Sequence, residues 1–115
     1  MADIKLRASD GHEFTAHRVD PIAEPRGGIV VVQEIFGVNR HIRAVAARHA
    51  AAGWSVIAPA LFDRIEPGLE LGYAKADISR GRELVGKLET EQVLDDLQAT
   101  IDALQDTGKV GIVGY

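Results

Sequence analysis

The chain has 115 residues and a formal net charge of -4, enough for one domain and the wrong sign for a protein that binds nucleic acid by broad phosphate neutralisation. Hydrophobic residues make up 46% and charged residues 26%, the balance of a globular domain, and no apolar run approaches the ~18 residues of a membrane span. There is no cysteine, which excludes disulfides, thiolate metal sites and a cysteine nucleophile within these residues.

The N-terminus lacks the apolar core of a secretory signal, so a cytoplasmic location is expected. Residues 4–8 and 14–19 alternate apolar and polar around Asp10-Gly11. That pattern predicts an antiparallel hairpin with a type I′ turn, whose central residues need positive φ. Pro21 and Pro25 open a loop that Gly27-Gly28 closes. Residues 28–33 form an apolar, β-branched run with no alternating polar face, and residues 54–58 and 109–114 look alike. Strands without a polar face are buried on both sides, in a sheet covered by helices.

Helical periodicity fills the intervals. Residues 39–52 put Ile42, Val45, Ala46 and His49 on one face, with Asn39 as N-cap and Gly53 as the terminating glycine. Residues 73–88 align Ala74, Ile78, Gly81, Val85 and Leu88, although Gly81 and Gly86 each cost ~1 kcal/mol relative to alanine in a helix interior. Residues 90–107 carry Val93, Leu94, Leu97, Ile101 and Leu104 on one face, and Gly108 ends them. The order predicts an α/β fold in which an antiparallel hairpin precedes a parallel sheet with flanking helices. No helix follows the last strand, so residues 1–115 read as a single incomplete domain.

Ligands of open parallel sheets bind at the carboxyl ends of the strands. Neither G-x-G-x-x-G nor G-x-x-x-x-G-K-[ST] occurs, which argues against a nucleotide. The α/β-hydrolase arrangement fits better. There, the nucleophile sits on a sharp turn after a buried strand, and a second oxyanion N–H comes from the loop after the third strand. Counted in this way, residues 33–38 are that loop, and Gly114-Tyr115 leads into the nucleophile elbow, which the sequence stops short of.

Three segments carry a specific resemblance: Gln33-Glu34-Ile35-Phe36-Gly37-Val38-Asn39, Pro59-x-Leu61-Phe62-x-Arg64, and Gly108-Lys109-Val110-Gly111-Ile112-Val113-Gly114-Tyr115. Together they resemble the N-terminal half of the dienelactone hydrolase (carboxymethylenebutenolidase) family. The resemblance implies the N-terminal half of an α/β-hydrolase fold that opens cyclic enol lactones in aromatic-compound degradation. It implies a cysteine nucleophile, an Asp and a His beyond Tyr115, no metal and no organic cofactor. It also implies a monomeric full-length enzyme and a small ester or lactone substrate bearing a carboxylate. Glu34 matches the family's acid that generates the thiolate, Ile35 the residue whose backbone N–H completes the oxyanion hole, and Arg80, with Arg82 second, the arginine that binds the substrate carboxylate. Ala60 departs from the acidic residue common among relatives. The 115-residue chain alone is expected to be inactive. The alternatives are a serine esterase of the same fold and a non-catalytic fragment that binds partners.

Plainer roles stand beside these. Glu34 can pair with Arg40 or Arg43, Arg80 or Arg82 with Glu83, and Asp63 with Arg64. Phe36 reads as core or pocket wall, Trp54 as core, His49 as a hydrogen-bonded core residue, and His41 as exposed. His12 and His17 belong to the hairpin, away from the strand ends.

Overall fold

The computed structural model describes residues 2–115. Strands β1 (Ala2–Arg7), β2 (Glu13–Val19), β3 (Gly28–Val32), β4 (Ser55–Pro59) and β5 (Val110–Gly114) form one sheet in the order β1-β2-β4-β3-β5. Helix α1 (Arg40–Ala51) joins β3 to β4, and α2 (Lys75–Lys87) with α3 (Thr90–Asp102) joins β4 to β5. β1 and β2 pair antiparallel, β2 meets β4 antiparallel, and β3 pairs parallel with both β4 and β5. The expected mixed α/β sheet is present. Among the described residues, no helix is long and apolar enough to cross a membrane.

Strand alternation divides the core into two layers. Val31, Val56 and Ala58 pack with Ile42, Val45 and Ala46 of α1 on one face. Val30, Ile57 and Ala16 pack with Leu104 and the partly buried Leu97 and Ile101 on the other. Both faces of β3 and β4 are thus covered, which is why neither strand has a polar side. β5 differs from the expectation of burial on both sides. It is an edge strand, and Ile112 is 51% exposed.

Local geometry corrects several sequence readings. The hairpin turn is not type I′, because Gly11 (φ 91°) is its only residue with positive φ. Gly11 N–H donates to Ala8 O and Ala8 N–H to His12 O, each at 2.9 Å. This is a three-residue loop closed by one left-handed glycine, which spares Asp10 the strained conformation. In α2 the buried residues are Gly81 and Leu84, whereas Val85 is 45% exposed. α3 ends at Asp102, a 3-10 turn over Gln105–Thr107 follows, and Gly108 takes φ 112°. Leu94 is 57% exposed, while Asp96 and Thr100 are fully buried.

Asp96 is buried because it holds Arg64. The Arg64 guanidinium meets it in a fork, Nε to Oδ2 at 3.1 Å and NH2 to Oδ1 at 2.8 Å, and also reaches Asp10 in the hairpin turn. Asp96, and then Asp10, raise the Arg64 pKa above its already high ordinary value. Asp63 does not pair with Arg64. Its carboxylate accepts instead from the backbone N–H groups of Thr15 (2.8 Å) and Gly68 (3.0 Å). Hairpin, β4 loop and α3 are fastened together by these two neighbouring residues.

Candidate active site

The connection from β3 runs over the α1 face to β4, whereas β5 arrives from the α3 face on the other side of β3. Strand order therefore reverses between β3 and β5, and a crevice at their carboxyl ends is where such sheets bind ligands. The register pairs Val32 with Gly114. The turn that follows β3 and Tyr115 consequently lie side by side at one rim.

The chain turns sharply at residues 34–37, where Glu34 and Gly37 form an isolated bridge. Gly37 takes φ 82°, a conformation a side chain would strain. Gln33 is buried and joins two strand ends, accepting from Leu61 N–H at 3.0 Å and donating to Glu34 O at 3.1 Å. Asn39 caps α1, its Oδ1 accepting from Ile42 N–H at 3.2 Å. These contacts make the turn a rigid platform, and Glu34 and Ile35 stand on it half-buried.

The Glu34 carboxylate does not pair with Arg40 or Arg43. Arg43 is taken by Asp3 (3.1 Å) and Glu70 (3.7 Å). Glu34 Oε1 accepts instead from the Tyr73 hydroxyl at 3.2 Å. The Ile35 N–H has no protein acceptor among the described residues, as an oxyanion donor requires. Its carbonyl lies against Gly81 of α2, where a Cβ would overlap the oxygen. Sequence reading missed both neighbours. Gly81 looks like a helix defect in one dimension, and nothing in the spacing relates Tyr73 to Glu34. Phe36 is buried as a wall, its ring 4.5 Å from that of Tyr73 and inclined at 63°.

Arg80, next to Gly81, lies between Glu83 (3.3 Å) and Glu66 (3.6 Å). Lys87 and then Arg80 hold the Glu83 carboxyl below its ordinary value. Arg82 is exposed on α2. His49 is not a core residue; its Nε2 is 3.3 Å from the exposed Tyr115 hydroxyl, and the exposed His41 meets the same ring edge-on at 6.5 Å between centroids. Trp54 is partly buried beneath the Arg26 guanidinium, 4.9 Å from the ring centroid. A cavity of about 150 Å³ adjoins the turn through Val38, Ala60 and Leu69. Buried His17 lines it, Nδ1 set between Asp3 (3.2 Å) and Arg43 (3.0 Å). The His17 hydrogen bond, opposed by partial burial and aided by Arg43, lowers the Asp3 pKa. No cluster of three metal-ligating side chains occurs among the described residues.

Residues 14–115 match the profile of the Dienelactone hydrolase family. A Synechocystis sp. protein, provisionally named a carboxymethylenebutenolidase, is 42% identical over 109 residues, which cover 90% of this chain and 44% of that protein. The Pseudomonas putida carboxymethylenebutenolidase is 35% identical, with 97% of this chain and 50% of that protein covered. In structure, the chain is similar to a provisionally named dienelactone hydrolase from Klebsiella pneumoniae, with TM-score 0.77 and 31% identity over 100% of this chain and 50% of that one. A Coxiella burnetii alpha-beta serine hydrolase homologue shares the fold at TM-score 0.62 and 10% identity, with 99% and 51% covered. The chain spans about half the length of these relatives.

Proposed function

The chain belongs to the dienelactone hydrolase family, and on that premise we propose that it supplies the N-terminal half of a cytoplasmic, monomeric hydrolase that opens carboxylate-bearing cyclic enol lactones. The nucleophile, a cysteine by family resemblance, belongs to a segment that follows β5. A free thiol is mostly protonated at neutral pH, so a base must take its proton. Glu34 is that base. The thiolate adds to the lactone carbonyl carbon, and the oxygen that takes up the electron pair is held by the Ile35 N–H. Collapse of the adduct breaks the ring C–O bond and releases the enolate arm, leaving an acyl-enzyme. The enolate takes a proton from the water that adds to the thioester, and the departing thiolate recovers its own proton from Glu34. An N–H aimed at the developing oxyanion is worth roughly 2.7–4 kcal/mol.

The observation that carries this reading is the β3–β5 register, Val32 opposite Gly114. It brings Glu34 and the end of β5 to the same rim. Arg80 is assigned to the substrate carboxylate, which would replace Glu66 or Glu83 as its partner. Residues 1–115 alone are inactive in this scheme. A chimera that joins them to the C-terminal half of the Synechocystis relative tests it. The chimera is expected to hydrolyse an enol lactone, and Glu34→Gln to lose at least tenfold in kcat. Saturable hydrolysis by residues 1–115 alone, or an unimpaired Glu34→Gln chimera, would refute it.

A further inference from the structure

The groups around Glu34 form a hydrogen-bond relay with a fixed direction. From it we infer that Tyr73 is the positioning residue of the base and that Asn39 sets the direction in which the Tyr73 proton points. The inference rests on the catalytic reading of Glu34 given above.

The direction originates at the helix end. The Ile42 N–H can only donate, so the Asn39 atom 3.2 Å from it is the amide oxygen. The other end of the amide, Nδ2, is then solely a donor. It stands 3.3 Å from Leu71 O and 3.2 Å from the Tyr73 hydroxyl. That hydroxyl therefore accepts from Asn39, and its single proton is directed at Glu34 Oε1, 3.2 Å away. Two further contacts hold the donor in place: the Tyr73 ring packs edge-on against Phe36, and Leu71 N–H donates to Phe36 O at 2.9 Å. Burial does not explain a tyrosine here, because Tyr73 is 56% exposed. Its hydroxyl tethers one carboxylate oxygen and leaves Oε2, which has no protein partner among the described residues, to take a proton.

The isotopically labelled 115-residue chain reads the tether directly by NMR. Held at one oxygen, Glu34 keeps one rotamer and unequal Hα–Hβ couplings; Tyr73→Phe brings those couplings together. Asn39→Asp keeps the cap oxygen but replaces the donor by an acceptor, which draws the Tyr73 proton away and gives the same collapse. From the other end, Glu34→Gln shifts the Tyr73 Cζ resonance. Equal couplings in the unsubstituted chain, or a Tyr73 Cζ unmoved by Glu34→Gln, overturn the proposal even if Tyr73→Phe fails to fold. In the chimera, Tyr73→Phe is expected to lower kcat about tenfold, ~1.4 kcal/mol, with KM held within twofold. If Glu34→Gln loses activity but Tyr73→Phe does not, the positioning role is wrong and the base is right. If Glu34→Gln keeps full kcat while the couplings collapse as expected, the base is wrong and the tether is right.

Discussion

Gly81→Ala separates the two accounts of that glycine. In an exposed helix interior the change stabilises by ~1 kcal/mol, because alanine loses less backbone entropy. At Gly81 the new Cβ would overlap the Ile35 carbonyl oxygen and stand 3.1 Å from its carbon. Both are backbone atoms, so no side chain can rotate to relieve the clash. Overpacking of this kind costs ~1–3 kcal/mol, and overlap with a rigid turn belongs at the upper end. Set against the propensity gain, the net loss is about 2 kcal/mol. With a urea m-value of ~1.5 kcal/mol/M, the unfolding midpoint falls by ~1.3 M. Gly86, five residues further along α2, meets nothing within 4 Å, so Gly86→Ala is expected to raise stability by up to ~1 kcal/mol. The assay is urea unfolding of both variants followed by circular dichroism. Amide shifts at residues 34–37 then show whether the turn is what moves. Equal stabilisation by the two substitutions would refute the claim that α2 seats the turn at residues 34–37.

Arg64→Met strands the fully buried Asp96 and is expected to cost ~3–5 kcal/mol in thermal unfolding. The double variant Arg64→Met, Asp96→Leu should recover most of that loss, because well-packed apolar groups can replace a buried ion pair. Asn39→Ala removes the cap of α1 and should cost ~0.5–2 kcal/mol, whereas Asn39→Ser should restore most of it; equal losses would show that the cap contributes nothing. The carboxyls of Asp3, Asp10, Asp20 and Glu83 are all held below their ordinary values. For Asp20 the lowering comes from Arg18 and Ser55, against an opposing burial contribution. Groups depressed in the folded state contribute stability that is complete above their unfolded pKa values and is lost as pH falls through the folded ones. Melting temperature is therefore expected to hold from pH 7 to about 5 and to fall below pH 4; a flat profile down to pH 2 would contradict it.

Chain-local signals were legible in the sequence and long-range ones were not. The β-branched runs at β3 and β4, the Asn39 cap and Gly53 (φ 107°) all express constraints within a few residues. Glu34 and Ile35 stood out through the family resemblance of the heptad 33–39. Asp96 was hidden because its partner, Arg64, lies 32 residues away and overrides the apolar stripe that marks the α3 face in the sequence. Gly81 and Tyr73 were hidden for the same reason: each matters through backbone or carboxylate groups brought near only by the β4–α2 crossover. β5 carried the pattern of a central strand but is an edge within residues 2–115, since a pattern records burial without naming the neighbour that supplies it.

The pairing of Val32 with Gly114 also predicts where the gene can tolerate insertions and deletions. Adding or deleting one codon within β5 would slide the strand by one pleat and turn every later side chain to the opposite layer. The same change between Asp20 and Arg26 falls in a surface connection and leaves both layers aligned. Length variation in natural or mutagenised copies should therefore accumulate in the first segment and be purged from the second.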